Sequence, residues 1–149
     1  MLLLTNKRAL HDYAITSKIQ AGVILMGGEV KSLRQQHGSL AGSYVKVIGR
    51  DLVLVNAHIN PYPYADNSKY DPKRTRRLLL HKKQIFHLIE ASEAKGAALI
   101  PLSFELVGNH IKLNIGLGKG RKEFEKREVA KKRDVQRQID WHLKQYHSK

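Results

Sequence analysis

Apolar and polar residues alternate along four stretches of the chain, a pattern that is typical of strands with one buried face. Residues 44–48 and 52–55 alternate on either side of Gly49-Arg50-Asp51, which favours a hairpin turn. Residues 100–106 and 111–117 alternate in the same way and are joined by a short glycine-containing segment. The pattern therefore predicts two antiparallel hairpins.

The remaining segments of the first 120 residues predict further strands, helices and one long loop. Residues 13–26 are predicted to be extended with a break at Ala21-Gly22, and the alternation that starts at residue 53 predicts a strand as far as about residue 59. Apolar residues at helical spacing predict a helix over 82–95, and a shorter helix is predicted over 29–36. Three prolines and few apolar residues predict a loop over 60–77.

Together these elements predict a mainly β fold. We expect an OB-fold-like antiparallel β-barrel of about six strands with two or three short helices, formed by residues 1–120. A split α+β sheet is the alternative that the same elements allow. Residues 121–149 contain neither glycine nor proline and have only one thin apolar stripe. They predict a basic C-terminal tail that is disordered when free and helical when docked.

Two segments carry most of the positive charge. The chain has 27 Lys and Arg against 13 Asp and Glu, a formal net charge of +14. Residues 69–83 have seven basic residues and one acid, and residues 116–149 have eleven basic residues and five acids, so each block carries +6 and the rest of the chain +2. Two such blocks indicate a polyanionic partner, nucleic acid or an anionic membrane surface, more than two solvated faces.

Cysteine content and hydropathy exclude several classes of protein. There is no cysteine, which excludes a disulfide framework, a thiolate nucleophile and a zinc–thiolate site. No apolar run approaches the roughly 18 residues of a membrane span. We therefore expect a cytoplasmic protein with no membrane association.

No arrangement of residues predicts catalysis. No two of the eight histidines are three or four residues apart, so no pair shares a helix face and no metal site is expected. His11-Asp12 could form a general-base pair, but adjacent side chains would diverge in a strand, and no nucleophile accompanies them. Residues 116–120 lack P-loop spacing; their glycines either end a strand or let backbone N–H groups approach a phosphate. We expect no enzyme, no cofactor and no catalytic residue.

Residues 75–83 place three leucines between two cationic groups. In one interpretation the leucines fill the core at a helix entry and the cations are solvated. In the other, the segment clamps phosphates and exposes a leucine or the His81 imidazole to a base. Lys82 and Lys83 would be unfavourable in the first turn of a helix because of its dipole, which favours the functional interpretation. Phe124, an aromatic residue in a charged tail, is interpreted as a stacking or docking residue.

Several motifs occur in order over about residues 6–140. They are Asn6-Lys7-Arg8-Ala9, His11-Asp12-Tyr13, residues 28–34, Ser43-Tyr44-Val45, residues 71–83, residues 116–122 and Glu125-Lys126-Arg127. In this combination the chain resembles the SsrA-binding protein family (small protein B). The resemblance implies an OB-type barrel followed by a basic tail that is unstructured in solution.

The resemblance also implies a function without chemistry of its own. The protein would bind transfer-messenger RNA at its tRNA-like domain and deliver it to stalled ribosomes for trans-translation and ribosome rescue. The tail would probe the vacant decoding centre and mRNA channel and fold there as a helix. The implied partners are this RNA, the ribosome and, through the RNA, alanyl-tRNA synthetase and elongation factor Tu. A monomer is expected.

Site residues follow from the matched positions. Leu79 and His81 match positions implicated in binding the tRNA-like domain, and Gln20 stands where many members have Glu, so it keeps an acceptor but loses the charge. The expected RNA-binding residues are Lys7, Arg8, His11, Gln20, Lys31, Arg34, Arg74, Arg76, Leu79, His81, Lys119 and Arg121. The expected ribosome-contacting tail residues are Phe124, Glu125, Lys126 and Arg127.

Two alternative functions are considered. A general ribosomal or structured-RNA-binding OB-fold protein would show no preference for transfer-messenger RNA over bulk tRNA. A small RNA-processing enzyme that uses His11 or His81 would need a nucleophile or a paired acid and base, and the sequence offers neither.

Overall fold

The computed structural model describes residues 1–121 and 123–147. The strands are β1 (Leu2–Thr5), β2 (Tyr13–Val23), β3 (Gly38–Ser39), β4 (Tyr44–Ile48), β5 (Asp51–Val55), β6 (His58–Ile59), β7 (Arg76–Leu79), β8 (Ala98–Val107) and β9 (His110–Gly120). The helices are α1 (Lys7–Asp12), α2 (Gly27–Arg34), α3 (Lys82–Lys95) and α4 (Glu123–His147).

Seven of these strands form one antiparallel sheet. Its order is β1-β8-β9-β2-β7-β5-β4, and β3 pairs separately with β6. Near the far end of the sheet, β4 packs against β8, so the sheet curls around its apolar face as in a barrel. The predicted mainly β class is confirmed, although the sheet contains more strands than the six expected.

The core lies inside the curled sheet. It is built from the inward residues of the predicted hairpins, such as Leu52, Leu54, Leu113 and Ile115, together with Phe104 on β8. Helix α3 covers one end with Ile85 and Leu88, two of its apolar residues at helical spacing. Removing these side chains from water is the main favourable contribution to folding.

The two hairpins and the helix over 82–95 are confirmed. Strands β4 and β5 pair through Ile48 and Asp51, and β8 and β9 pair through Val107 and His110. Helix α3 ends at Gly96, whose φ of +58° is a left-handed conformation that glycine adopts without steric cost.

Two predictions about strands were wrong, and one helix was missed. The break expected at Ala21-Gly22 is absent, because β2 continues through both residues and pairs there with β9. The strand expected to run to residue 59 divides into β5 and β6, because Asn56 has a φ of +66° and interrupts the extended backbone. The loop predicted over 60–77 is confirmed for residues 60–75, which form no helix or strand, and only its last two residues enter β7, which pairs with β2 and β5. Helix α1 was not predicted; it begins at Asn6, whose side chain accepts a hydrogen bond from the Ala9 N–H at 3.2 Å.

The segment after residue 120 was predicted to be a tail. In the structure its residues Glu123–His147 form α4, which meets the rest of the molecule at α1. The Arg121 N–H donates to the Asp12 carbonyl at 2.8 Å, and the Lys126 ammonium lies 3.5 Å from the Asp12 carboxylate. Residues 123–147 are thus helical in the structure of this chain without a partner. The disorder expected for the free tail stays a prediction. Over residues 1–121 and 123–147, no helix combines the length and the apolar character that a bilayer span requires.

Candidate nucleic-acid interface

A shallow groove of about 420 Å³ lies where β7, β2 and β9 meet the start of α3. It brings together three predicted site residues, Gln20 and the pair Leu79 and His81, although Gln20 is distant in sequence from the other two. The pairing of β2 with β7 places Gly22 opposite Leu79, and the pairing of β2 with β9 places Gly22 opposite Lys112. The groove is therefore a product of sheet register.

Leu79 is held on the outer face of β7 by strand alternation. Along this strand Arg76 and Leu78 are buried, whereas Arg77 and Leu79 point outward. Leu79 remains 51% exposed beside Gly22, where an added Cβ would lie 3.2 Å from the Leu79 Cβ. An exposed leucine next to a glycine provides an accessible apolar surface against which a base can pack.

His81 is the N-cap residue of α3, directly before Lys82. Its backbone N–H donates to the Gln84 side-chain oxygen at 3.1 Å, which fixes the first turn, and its imidazole is exposed at the groove. Lys82 and Lys83 follow at the exposed N-terminus of the helix. The predicted helix entry and the predicted exposed imidazole therefore occur at the same place.

A cluster of polar side chains continues from the groove across three neighbouring strands. Gln20 on β2 donates its amide to Asn114 Oδ1 on β9 at 3.0 Å and to Glu105 Oε2 on β8 at 3.3 Å. Asn114 in turn donates to the same Glu105 oxygen at 3.0 Å and to Ser103 at 2.9 Å. We call Gln20, Glu105 and Asn114 the amide–carboxylate cluster.

Arg76 is not at the surface, so the prediction that it contacts RNA is wrong. Its side chain is 0% exposed, and its guanidinium donates to Glu29 Oε2 at 2.7 Å and to the carbonyls of Ala57 and Pro72 at 2.8 and 3.0 Å. A buried guanidinium has to be paired, because an unpaired charge inside the protein is strongly destabilising. Arg76 thus holds β7 to the body of the protein.

Arg74 is largely used in the same network. Its guanidinium pairs with Glu29 and also donates to the Ile24 carbonyl at 3.2 Å, and a quarter of its side chain remains exposed. Burial opposes ionisation of Glu29, but hydrogen bonds from Arg74 and from the Met26 N–H, with the charge of Arg76, outweigh it. The pKa of Glu29 therefore lies below its usual range.

The cations predicted on α1 and α2 are exposed. Lys7 and Arg8 occupy the first turn of α1, and Lys31 and Arg34 lie on α2. The Lys31 ammonium lies 5.2 Å from the centre of the Tyr62 ring, within the range of a cation–π contact. These four side chains can contact phosphates without breaking a buried hydrogen bond or ion pair.

His11 and Asp12 were expected to diverge, and this expectation was wrong because they lie at the end of a helix and not in a strand. His11 Nδ1 lies 3.1 Å from Asp12 Oδ1. The hydrogen bond with His11, together with the charge of Lys126, outweighs desolvation and keeps the pKa of Asp12 below its usual range. Asp12 therefore stays ionised and joins α1 to α4.

The glycine-rich end of β9 resolves two interpretations that the sequence left open. Gly116 and Gly118 are buried, and a Cβ on Gly118 would lie 2.8 Å from Ile15 Cδ1 and 2.9 Å from the Ala14 carbonyl. These glycines allow close packing of β2 on β9, so they are structural. Lys119 is exposed, whereas Arg121 is partly buried, and its Nη1 has no hydrogen-bond partner among the described residues.

The predicted tail residues lie in the first turns of α4. Lys126 is paired with Asp12, and Arg127 is exposed. Phe124 and Glu125 belong to the same helix, and their side chains lie outside the described residues.

Sequence reasoning missed three side chains at the groove and the cluster next to it, namely Glu105, Lys112 and Asn114. All three occupy the polar positions of the alternating pattern in β8 and β9. The signal was therefore present as an outward face, but nothing in the sequence placed that face beside Gln20.

Fold and surface together define a small basic β-protein with a polar and apolar groove at one sheet junction and a basic helix at the other end of β2. Comparison with known protein families identifies the family of this chain. The family model for the SmpB protein matches residues 3–145. Accordingly, the chain belongs to the SmpB protein family.

Individual relatives agree with this assignment. The chain is 41% identical over 145 residues to the SsrA-binding protein of Enterococcus hirae, a match that covers 97% of this chain and 94% of the relative. It is 43% identical over 135 residues to the SsrA-binding protein of Bacillus pumilus, covering 91% and 86%. A solved structure described as "tmRNA-SmpB: a journey to the center of the bacterial ribosome" matches with a TM-score of 0.68 at 38% identity, covering 83% of this chain and 87% of that one.

Proposed function

We propose that this protein binds the tRNA-like domain of transfer-messenger RNA and delivers it to stalled ribosomes for trans-translation and ribosome rescue. The observation that carries the proposal is the groove that brings together Gln20, Leu79 and His81. Family membership and the similarity to a tmRNA-SmpB structure support the choice of RNA.

The groove residues divide the work of RNA binding. Leu79 offers an apolar surface and His81 an imidazole for an unstacked base, and Gln20 offers a hydrogen-bonding group at the sheet. Lys112 lines the same groove and is placed to neutralise a phosphate, as are the exposed Lys7, Arg8, Lys31, Arg34 and Lys119. These contacts need no bond making or breaking, so the protein acts as an adaptor without catalysis.

We assign a second role to residues 121–149. They enter the vacant decoding centre and mRNA channel, where their charges meet ribosomal RNA, with Phe124, Glu125, Lys126 and Arg127 at the start of the helix. Alanyl-tRNA synthetase and elongation factor Tu act on the bound RNA and so are partners through it. The separation of α4 from the groove supports this division.

A double substitution tests the groove. Leu79→Ala with His81→Ala should weaken binding of the tRNA-like domain by at least about tenfold, since stacking of a base on an aromatic ring such as His81 contributes about 1–3 kcal/mol and the loss of the Leu79 side chain removes apolar contact as well. The matched control is Ile48→Ala with His37→Ala, because Ile48 is 52% exposed, His37 is also exposed, and neither residue lines the groove. Equal affinities of the two double variants would refute the assignment.

Competition with bulk tRNA tests the choice of RNA. A strong preference for transfer-messenger RNA is expected, and no preference would leave a general structured-RNA-binding protein. Deletion of 121–149 should leave RNA binding largely intact and abolish tagging of stalled peptides. A loss of RNA affinity as large as that of the Leu79 and His81 double variant would contradict this division of roles.

A further inference from the structure

The amide–carboxylate cluster contains one group whose hydrogen-bonding role is fixed by its charge. Glu105 Oε2 lies 3.3 Å from the Gln20 amide nitrogen and 3.0 Å from the Asn114 amide nitrogen. An ionised carboxylate only accepts hydrogen bonds. Both amides must therefore turn their NH₂ groups towards Glu105, and neither can turn its oxygen to that side.

The consequence for Gln20 is a fixed orientation. One of its N–H bonds points to Glu105 and the other to Asn114 Oδ1 at 3.0 Å, so both donors are used within the protein. Among the described residues, the Gln20 oxygen accepts no hydrogen bond. Because Gln20 is exposed and lines the groove, this oxygen is the group that a ligand in the groove can meet.

We propose that Glu105 is a positioning residue for RNA binding, which holds Gln20 as a hydrogen-bond acceptor so that the groove selects an RNA group that donates, a ribose 2′-hydroxyl or a base amino group. The inference rests on the proposed function of the groove. Glu105 itself need not touch the RNA.

Charge balance near Glu105 is compatible with RNA binding. Lys112 is the direct cross-strand partner of Glu105 on β9 and lines the groove on its own account. A carboxylate placed opposite a lysine contributes little net negative potential at the groove. The cluster can therefore orient an amide by its charge without excluding the RNA backbone.

Removal of the Glu105 charge tests the inference. Glu105→Gln can present either end of its amide and no longer fixes Gln20, so RNA affinity should fall by about fivefold, the effect of one lost hydrogen bond. Simple electrostatics predicts the opposite sign, because removing a negative charge should strengthen RNA binding. The exposed Glu90→Gln on α3 removes an acid without touching the cluster, and it should leave affinity unchanged or slightly raised.

Two further variants separate positioning from a general effect of substitution. Gln20→Glu places two carboxylates side by side and should lower affinity by about tenfold through like-charge repulsion. In the double variant with Gln20→Glu and Glu105→Gln, the donor and acceptor exchange places, and residue 20 is again an acceptor at the groove. Affinity should return to within about threefold of wild type, since a hydrogen bond to a charged group is at least as strong as a neutral one. Unchanged melting temperatures and circular dichroism establish that all variants fold.

The donor on the RNA is identified by analogue interference. Transcripts carrying 2′-deoxynucleotides test the ribose hydroxyl, and transcripts carrying inosine for guanosine test the base amino group. A position at which one analogue weakens binding of the wild type but not of Glu105→Gln supports the inference and names the donor.

Several outcomes would overturn it. If Glu105→Gln binds as well as wild type or better, or if the two single losses simply add in the double variant, Glu105 does not position Gln20. If these variants are neutral while the Leu79 and His81 double variant loses affinity, only the present inference fails. If that double variant also binds normally, the proposed function itself fails.

Discussion

The buried pairing of Glu29 with two arginines leads to the strongest prediction about stability. Glu29 is 1% exposed, and it accepts hydrogen bonds from Arg74, Arg76 and the Met26 N–H. Substitution of Glu29 by Gln keeps the size and one acceptor oxygen but leaves the Arg76 charge buried without its counter-ion. Breaking a buried pair costs about 3–5 kcal/mol, and the retained oxygen and the backbone acceptors of Arg76 place this case near about 3 kcal/mol.

The effect is measurable by thermal and urea unfolding. For a chain of this size about 3 kcal/mol corresponds to a melting temperature lower by about 10 °C. The matched control is Arg77→Gln. Arg77 follows Arg76 on β7, and its substitution breaks an ion pair with Asp51 at 3.2 Å. Arg77 is 58% exposed, so its loss should change stability by less than about 1 kcal/mol. Similar melting temperatures for the two variants would refute the assignment of Arg76 as a buried structural charge.

The pairing of Glu29 with Arg74 and Arg76 also makes the free energy of unfolding depend on pH in the acid range. The pKa of Glu29 is lower in the folded protein than in the unfolded chain, so its contribution is present above the unfolded value and is lost as the pH falls through the folded one. The wild type should therefore lose stability on acidification below about pH 4, and Glu29→Gln should lose less over the same range. Parallel pH profiles would contradict this reasoning.

Three other predictions concern the β2–β9 strand pair, the C-terminal helix and the salt dependence of RNA binding. Gly118→Ala should destabilise the protein by about 1–3 kcal/mol because the new Cβ meets Ile15 and backbone, whereas Gly120→Ala, with open space around it, should change stability by less than about 0.5 kcal/mol in the same unfolding assay. Asp12→Asn should weaken the contact with Lys126 and raise hydrogen exchange in the first turns of α4, with little effect on the affinity for the tRNA-like domain; unchanged exchange would show that this ion pair does not hold the helix. Binding of the RNA should weaken with salt at a log–log slope of roughly −4 to −5 for six phosphate contacts, and a flat dependence would exclude the exposed cations as the contacts.

Hairpins and the third helix could be predicted because their signals are local. Alternation over residues 44–55 and 100–117 reflects the two faces of a strand, and the helix over 82–95 combines apolar spacing with a terminal glycine. Each of these features depends on residues within a few positions of one another. The hairpins and α3 can therefore be predicted without knowledge of tertiary contacts.

Strand β7 could not be predicted in this way, since its burial depends on distant residues. From the sequence, Arg76 is predicted to be a surface cation. Its guanidinium can be buried because it pairs with Glu29, which lies 47 positions away in the sequence. The same limit applies to the groove. Motifs pointed to Gln20, but Glu105 lies 85 positions further on and meets it only through the register of β8, β9 and β2.

The pairing of β2 with β9, which contains one register shift between Ile15 and Ser17, sets a distance within the molecule. Tyr13 pairs with Gly120 where α4 leaves the body, and Gln20 pairs with Asn114 beside the groove. Seven positions of β2 and six of β9 separate the two points, a span of about 20 Å. Rigid spacing of this kind fixes how far the emerging helix starts from whatever the groove holds. Inserting a single residue in β2 would lengthen the span by only about 3 Å, but it would also turn Gln20 to the opposite face of the sheet.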